Sequence, residues 1–497
     1  MSNYITPELS SEQIISIIRN GLNQTNIPKN IIIVGAGMAG LVSGSLLKQA
    51  GHNVTILEAS ERLGGRVFTM RSEFRNGQYI EAGAMRIPNT HLYTLEYIKK
   101  FKLPTNTFIN STPNDIIFLR GNKLRLKHYE ENPAMLDFML APSEKGKSAI
   151  QLLQYALEPV INFYNQNPLK NWPVIVEKFD KYSMEFYLKE NPFGRSLSTG
   201  AVEILKIMLG SEGFPELSFL ELLDEVKVFF KPGIQFYEIT GGFDQLPKAF
   251  IPELEEKIHY GHKVKKIVQH DNQVTIHSEH KILGSFQITG DLAIITIPFS
   301  VLQFVEIEPV TSFSSEKWKA IRQLHYVNST KIGIQFSNRF WEREGMYGGM
   351  ASSDLPITYT QYPSRDLGSK GSGVVLASYT WEDDAIPWES LANQDRIKQA
   401  LKSLATIHGK QVYYAFQTGT SFSWLRDPNY GGAFAMFKPF QAMELSPYIS
   451  SPEGRVHFAG EHASSYHGWI QGAIESAVYA AYEVNDLPRT CFQANQM

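Results

Sequence analysis

The four β-branched residues Ile31-Ile32-Ile33-Val34 run directly into Gly35-Ala36-Gly37-Met38-Ala39-Gly40. A short unbroken apolar run that ends at glycine reads as a parallel strand buried on both faces. Gly35 permits the tight turn, Gly37 lets backbone N–H groups approach a pyrophosphate, and Gly40 lets the next helix pack close to the strand. That helix is expected from Met38 to about Ala50, with Gly51 as its stop. A second strand, Asn53 to Leu57, then delivers Glu58 at its C-terminal end. A carboxylate there accepts both ribose hydroxyls of an adenine dinucleotide and repels a 2′-phosphate. A glycine fingerprint alone is weak; strand, turn, helix, strand and acid in this order read as a dinucleotide-binding unit.

At 497 residues the chain exceeds one core and calls for two or three domains. A net charge of −3 gives no reason to expect nucleic acid or an anionic membrane as partner. Cys491 is the only cysteine, which excludes intramolecular disulfides and thiolate metal clusters, and no metal site is expected. Met1 to Lys29 lacks the basic stretch and apolar core of a signal peptide. The apolar stretch Leu283 to Val305 is broken by Gly290, Asp291 and Pro298, so it does not read as a membrane span. The expectation is a cytoplasmic homo-oligomer with no membrane partner.

Glu12 to Leu22 has helical spacing and reads as a lead-in helix. Helices are expected to dominate from about Ser143 to Lys227, as at Ser148 to Leu157, Ser183 to Lys189 and Gly200 to Leu209. Short strands follow at Ile258 to Tyr260, Lys263 to Val268, Val274 to Ser278, Phe286 to Thr289 and Leu292 to Ile297. Further strands are expected at Thr330 to Phe336 and Val374 to Tyr379, and a helix near Gln394 to His408. The tail returns with Val456-His457-Phe458-Ala459-Gly460-Glu461, a strand leading to a Gly–acid pair, and then a helix from Trp469 to Val484. One dinucleotide domain is thus interleaved with inserted units.

Five stretches carry chemistry. In Glu58-Ala59-Ser60-Glu61-Arg62-Leu63-Gly64-Gly65-Arg66, the glycine pair lets backbone pass a bulky flat ligand and Arg66 offers a forked contact to phosphate; an exposed turn with a solvated arginine is the plainer reading. The others are Gly83-Ala84-Met85-Arg86-Ile87-Pro88, Ser329-Thr330-Lys331-Ile332, Val375-Leu376-Ala377-Ser378-Tyr379, and Phe458-Ala459-Gly460-Glu461-His462 with His467-Gly468-Trp469-Ile470-Gln471-Gly472-Ala473. Together they resemble the flavin amine oxidase superfamily and, within it, the L-amino-acid oxidases, from Arg19 to about Asn485.

The resemblance implies an α/β fold: a Rossmann-like FAD-binding domain assembled from discontinuous segments (27–80, 235–311, 423–487), a mixed-sheet substrate domain (5–26, 81–135, 312–422) and a helical insertion (136–234). It implies cofactor contacts from Gly35, Gly37, Met38, Ala39, Gly40, Glu58, Ala59, Gly65, Arg66, Gly83, Ala84, Met85, Arg86, Val264, Trp424, Gly460, Glu461, Gly468, Trp469 and Ile470. Glu461 is expected to meet the ribityl chain, and the helix after Trp469 to aim its N-terminus at the flavin. Arg86 and Tyr379 would hold a substrate carboxylate, with Gly468 and Trp469 beside it, and Lys331 would hold a water at flavin N5. Lys331 and Trp469 are the expected catalytic residues. No cysteine lies near Gly460 to Trp469, so FAD is expected to be bound non-covalently.

The implied activity is oxidative deamination of an L-amino acid by O₂, giving a 2-oxo acid, ammonia and hydrogen peroxide. Alternatives are an amino-acid 2-monooxygenase or an amine or polyamine oxidase of the same fold, and, outside enzymes, an escort-type protein without flavin. Asp224 and Glu225 fall where venom-type relatives carry a pocket histidine. Two readings stand: acids that favour a basic side chain, or, with Glu221, a solvated helix face.

Overall fold

The computed structural model describes residues 9–209 and 213–487; Cys491 and the first residues of the 5–26 segment lie outside them. The apolar run forms the strand Asn30–Val34, the centre of a five-stranded sheet. Its order is Ile258–His259, Asn53–Leu57, Asn30–Val34, Leu292–Ile295, Val456–Phe458, with every pair parallel. The register sets Leu57, Val34, Ile295 and Phe458 level. Glu58, Gly35, Thr296 and Gly460 therefore leave the sheet along one carboxyl edge, where ligands bind in open parallel sheets.

Alternation along the central strand sends Ile31 and Ile33 to one face and Ile32 and Val34 to the other. On the first face lie the helices Met38–Gln49 and Ile470–Asp486, packed through Leu41, Leu46, Ile474, Ala477 and Val478. Close approach of helix and strand depends on Gly40, where a Cβ would lie 1.9 Å from the Gly35 carbonyl oxygen. The other face is covered by Ile267, Val274 and Ile276 of a four-stranded sheet, ordered Gly284–Gly290, Val274–His280, His262–Gln269, Glu306–Glu308.

A seven-stranded mixed sheet stands beside this unit. Its order is Phe416–Ser423, Ser329–Phe336, Gly373–Trp381, Tyr359–Gln361, Met350–Ser353, Ile116–Leu119, Asn122–Arg125. Ser329–Phe336 has a partner on each side and all its residues are buried, so Lys331 is not on an edge strand. Helices Ala149–Gln166, Pro168–Phe179, Met184–Lys189, Thr199–Leu209 and Phe219–Phe229 form the helical unit. Leu152, Ile175, Leu205 and Leu223 fill its core, and Tyr187 stacks on Phe219 at 3.8 Å. Among the described residues no helix is long and apolar enough to cross a membrane.

Two segment assignments shift. The lead-in helix Ser11–Asn20, expected with the substrate unit, buries Ile14 and Ile18 in the dinucleotide core. Its apolar side meets the helix Leu92–Lys100, whose Tyr93, Tyr97 and Ile98 join the same core. The strand Phe236–Ile239, expected with the dinucleotide unit, pairs with Ile87–Pro88 and Thr105–Phe108 from the 81–135 segment.

Replacing Gly40 with Ala forces helix and turn apart. Overpacking of this kind costs about 1–3 kcal/mol. A lowered melting temperature together with loss of bound flavin is expected; an unchanged variant would show that the close approach is not needed.

Candidate active site

One cavity runs along the carboxyl edge, from Gly35 and Glu58 to Arg86, Lys331, Tyr379 and Trp469. Every residue expected at the site lines it except Gly40, which packs behind it, and Asp224. Two helices open onto it by their N-termini. Met38–Gln49 starts at Gly37 and Ile470–Asp486 at Trp469, and neither has a side-chain cap or an acid in its first turn. Uncapped N–H groups of this kind favour anionic groups. The two glycine segments touch: Gly37 bridges to Gly64, and a Cβ on Gly65 would lie 3.1 Å from the Gly37 Cα. Glu58 is held at the cavity wall, Oε2 accepting from Ala36 N at 2.7 Å and Oε1 from Ser60 N at 2.9 Å.

Arg66 and Glu461, expected to meet phosphate and the ribityl chain, both line the cavity and also contact one another. Arg66 Nη1 donates to Glu461 Oε1 at 2.5 Å and to the Ala433 carbonyl at 3.2 Å. Glu461 also accepts from the backbone N–H groups of Ala435 and, at 2.8 Å, Gly468. Burial disfavours both charges, but their mutual attraction outweighs it, raising the pKa of the arginine and lowering that of the acid.

Lys331 reaches the site from the middle of its sheet. Its Nζ donates to the Gly83 carbonyl at 2.6 Å and lies 4.4 Å from the Tyr379 ring centroid. Burial pushes its pKa down to about 7. Gly83 is required here, because a Cβ would lie 1.7 Å from the Arg66 carbonyl oxygen. Trp424 is pinned by its Nε1, which donates to the Ala82 carbonyl at 2.9 Å.

Arg86 donates to Asn110 Oδ1 at 2.6 Å, lies near Tyr359, and sits over the Phe229 ring at 4.7 Å. Trp469 Nε1 donates to Glu225 Oε1 at 2.7 Å. Burial pushes the Glu225 pKa up to about 7, opposed by that hydrogen bond and by the charge of Arg86. Asp224 does not reach the cavity: it pairs with Lys227, one turn along, with its side chain 46 % exposed. The helix therefore divides its acids, Glu225 to the cavity and Asp224 to its flank.

Sequence reading missed Asn110, which holds Arg86, and Tyr359, which lies near it, both from segments with no motif. It also missed His91, which meets Trp469 edge-on at 4.7 Å and whose Nε2 has no partner. His91 lies five residues beyond Arg86, so its position was available. Phe229 and Trp381 complete the aromatic wall.

Uncapped helix ends, a glycine cradle and an acid at the second strand fit a dinucleotide cofactor. The model of the family described as "Flavin containing amine oxidoreductase" matches residues 38–485, and the chain belongs to that family. It is an FAD-dependent oxidoreductase. The chain is 51% identical over 481 residues to "Putative L-amino-acid oxidase YobN" of Bacillus subtilis (strain 168), covering 97% of this chain and 99% of the relative. It is 37% identical to the L-amino-acid oxidase of Siganus canaliculatus, over 95% of this chain and 88% of that protein. Cyclohexylamine oxidase from Brevibacterium oxydans IH-35A shares the fold, with TM-score 0.73 at 19% identity, over 93% of this chain and 99% of that one.

Proposed function

We propose that this enzyme is an L-amino-acid oxidase that converts an L-amino acid and O₂ into a 2-oxo acid, ammonia and hydrogen peroxide. The observation that carries the reading is Arg86: a guanidinium in the cavity wall, held by Asn110, in a cavity also lined by Lys331, Tyr379 and Trp469. An arginine there has a use when the substrate bears a carboxylate, and its fork matches one. A simple amine would leave it unpaired, which argues against an amine or polyamine oxidase. When bound, FAD supplies the hydride acceptor and the route of electrons to O₂.

Arg86 and Tyr379 fix the carboxylate, and Trp469 closes the opposite wall. With the substrate so anchored, the Cα–H is presented in one orientation, and a neutral α-amine releases it most readily. Because the Cα–H leaves as hydride, no side chain has to abstract it as a proton, and positioning and electrostatics carry that step. Arg86→Ala should lower kcat/KM for amino acids by about 3 kcal/mol, the order expected when a buried charge pair is broken. Equal turnover of an amino acid and its decarboxylated amine by the unaltered enzyme would reject the assignment.

Lys331 is assigned to the oxygen half-reaction, its near-neutral amine holding a water. Lys331→Met should leave anaerobic flavin reduction largely intact and slow reoxidation; the reverse pattern would overturn that role. FAD is held without a covalent bond, so acid precipitation should carry the yellow colour into the supernatant rather than the pellet.

Glu225 supports a preference for basic side chains. One of its oxygens is taken by Trp469 and the group lines the cavity. A cationic head group would add a charge-assisted hydrogen bond of about 1.5–3 kcal/mol, enough for a tenfold or greater preference. Glu225→Gln should reduce the lysine-to-leucine ratio of kcat/KM by that factor. The carboxyl pKa is raised to about 7, so its charge, and with it the preference, should fade as pH falls through that value. A ratio unmoved by substitution and by pH would leave the substrate preference broad. Identification of an amide with one carbon fewer as the product would favour the monooxygenase reading instead.

A further inference from the structure

The helix Phe219–Phe229 contributes more than Glu225. Glu221 and Glu225 stand one turn apart on the same face, and each takes a ring N–H from the segment that precedes the last helix. Glu221 Oε1 lies 2.8 Å from His467 Nδ1, and Glu225 Oε1 lies 2.7 Å from Trp469 Nε1. The His467 ring is buried, and a carboxylate at hydrogen-bond distance from Nδ1 favours its protonated, cationic form.

We propose that His467 is a standing positive charge in the cavity wall, kept protonated by Glu221, that raises the reduction potential of the bound flavin. His467 lines the cavity whereas Glu221 does not, so the pair turns its positive end inward. The uncapped start of the helix Ile470–Asp486, three residues on, adds partial charge of the same sign. The substrate end of the cavity is defined by Arg86, Lys331 and Trp469, and the reacting ring must meet the substrate there. A cation at that end stabilises the negative charge gained on reduction, and the buried setting leaves it little screened.

The groups around the ring agree in sign. Glu221 and Asp224 face it from the helix Phe219–Phe229, Glu461 from the preceding segment and Glu475 from the last helix. His462, buried, has its pKa pushed down to about 3 and is neutral. Phe437 packs edge-on against the imidazole at 4.7 Å. Burial opposes the charge of His467, yet Glu221 and Glu461 outweigh it and carry its pKa up to about 9. Glu221 thus acts through His467 as a positioning residue.

The test is the midpoint potential of the FAD-loaded protein, measured by dye equilibration across the neutral and alkaline range with no substrate present. Its outcome is therefore independent of which amine or amino acid is oxidised. Reduction should draw an extra proton onto His467 once pH passes its pKa, so the wild-type potential should fall more steeply above about pH 9. Glu221→Gln keeps the hydrogen bond but removes the charge, and should bring that break to lower pH. His467→Gln should abolish the break and lower the potential at neutral pH. Variants that lose FAD content while the loaded fraction keeps the wild-type curve would reduce His467 to a structural role and overturn the proposal. Should neither variant load FAD, the wild-type curve decides alone: no break overturns it.

Discussion

The contact on which the cavity depends is the Arg66–Glu461 pair, formed between residues 395 positions apart. One partner follows the second glycine segment and the other follows the last strand of the parallel sheet. Their union fixes where those two stretches sit relative to each other. Glu461 also gathers the N–H groups of Ala435 and Gly468, so the short strand Phe434–Ala435 and the approach to the last helix are set by the same carboxylate. Burying two charges is expensive, and further hydrogen bonds offset part of that cost: Glu461 accepts from two backbone N–H groups, and Arg66 Nη1 also donates to the Ala433 carbonyl.

From that joint the chemistry distributes itself over independent elements. The parallel sheet supplies the nucleotide end through turns at its carboxyl edge. The mixed sheet supplies Lys331 and Tyr379 from neighbouring strands, where Lys331 and Tyr379 are in register. The helical unit supplies one face with two acids that hold His467 and Trp469. Each functional side chain thus stands on a regular element or is held by one, which is how a site keeps its geometry before substrate arrives.

What could be read from the chain follows from how local each signal is. The strand–glycine–helix unit, Glu58, Arg86 and the Gly468-Trp469 step are contiguous patterns, and of the residues singled out in them all but Gly40 line the cavity. Arg66 and Glu461 were recognisable as site residues but not as partners, because nothing local encodes a contact across 395 positions. Asp224 and Glu225 illustrate another limit. Adjacent residues on a helix point about 100° apart, so the direction of the helix decides which acid meets the cavity, and only packing sets that direction. Asn110 and Tyr359 carry no motif and enter the site solely because Arg86 lies against them.

One cavity is proposed to serve both the flavin and an α-amino acid. Mixing the FAD-loaded protein with L-lysine in the absence of oxygen tests this directly. Bleaching of the yellow flavin with formation of one 2-oxo acid per flavin, before any peroxide can form, is the result predicted. A flavin that stays oxidised against every L-amino acid but bleaches with amines lacking a carboxylate would contradict it.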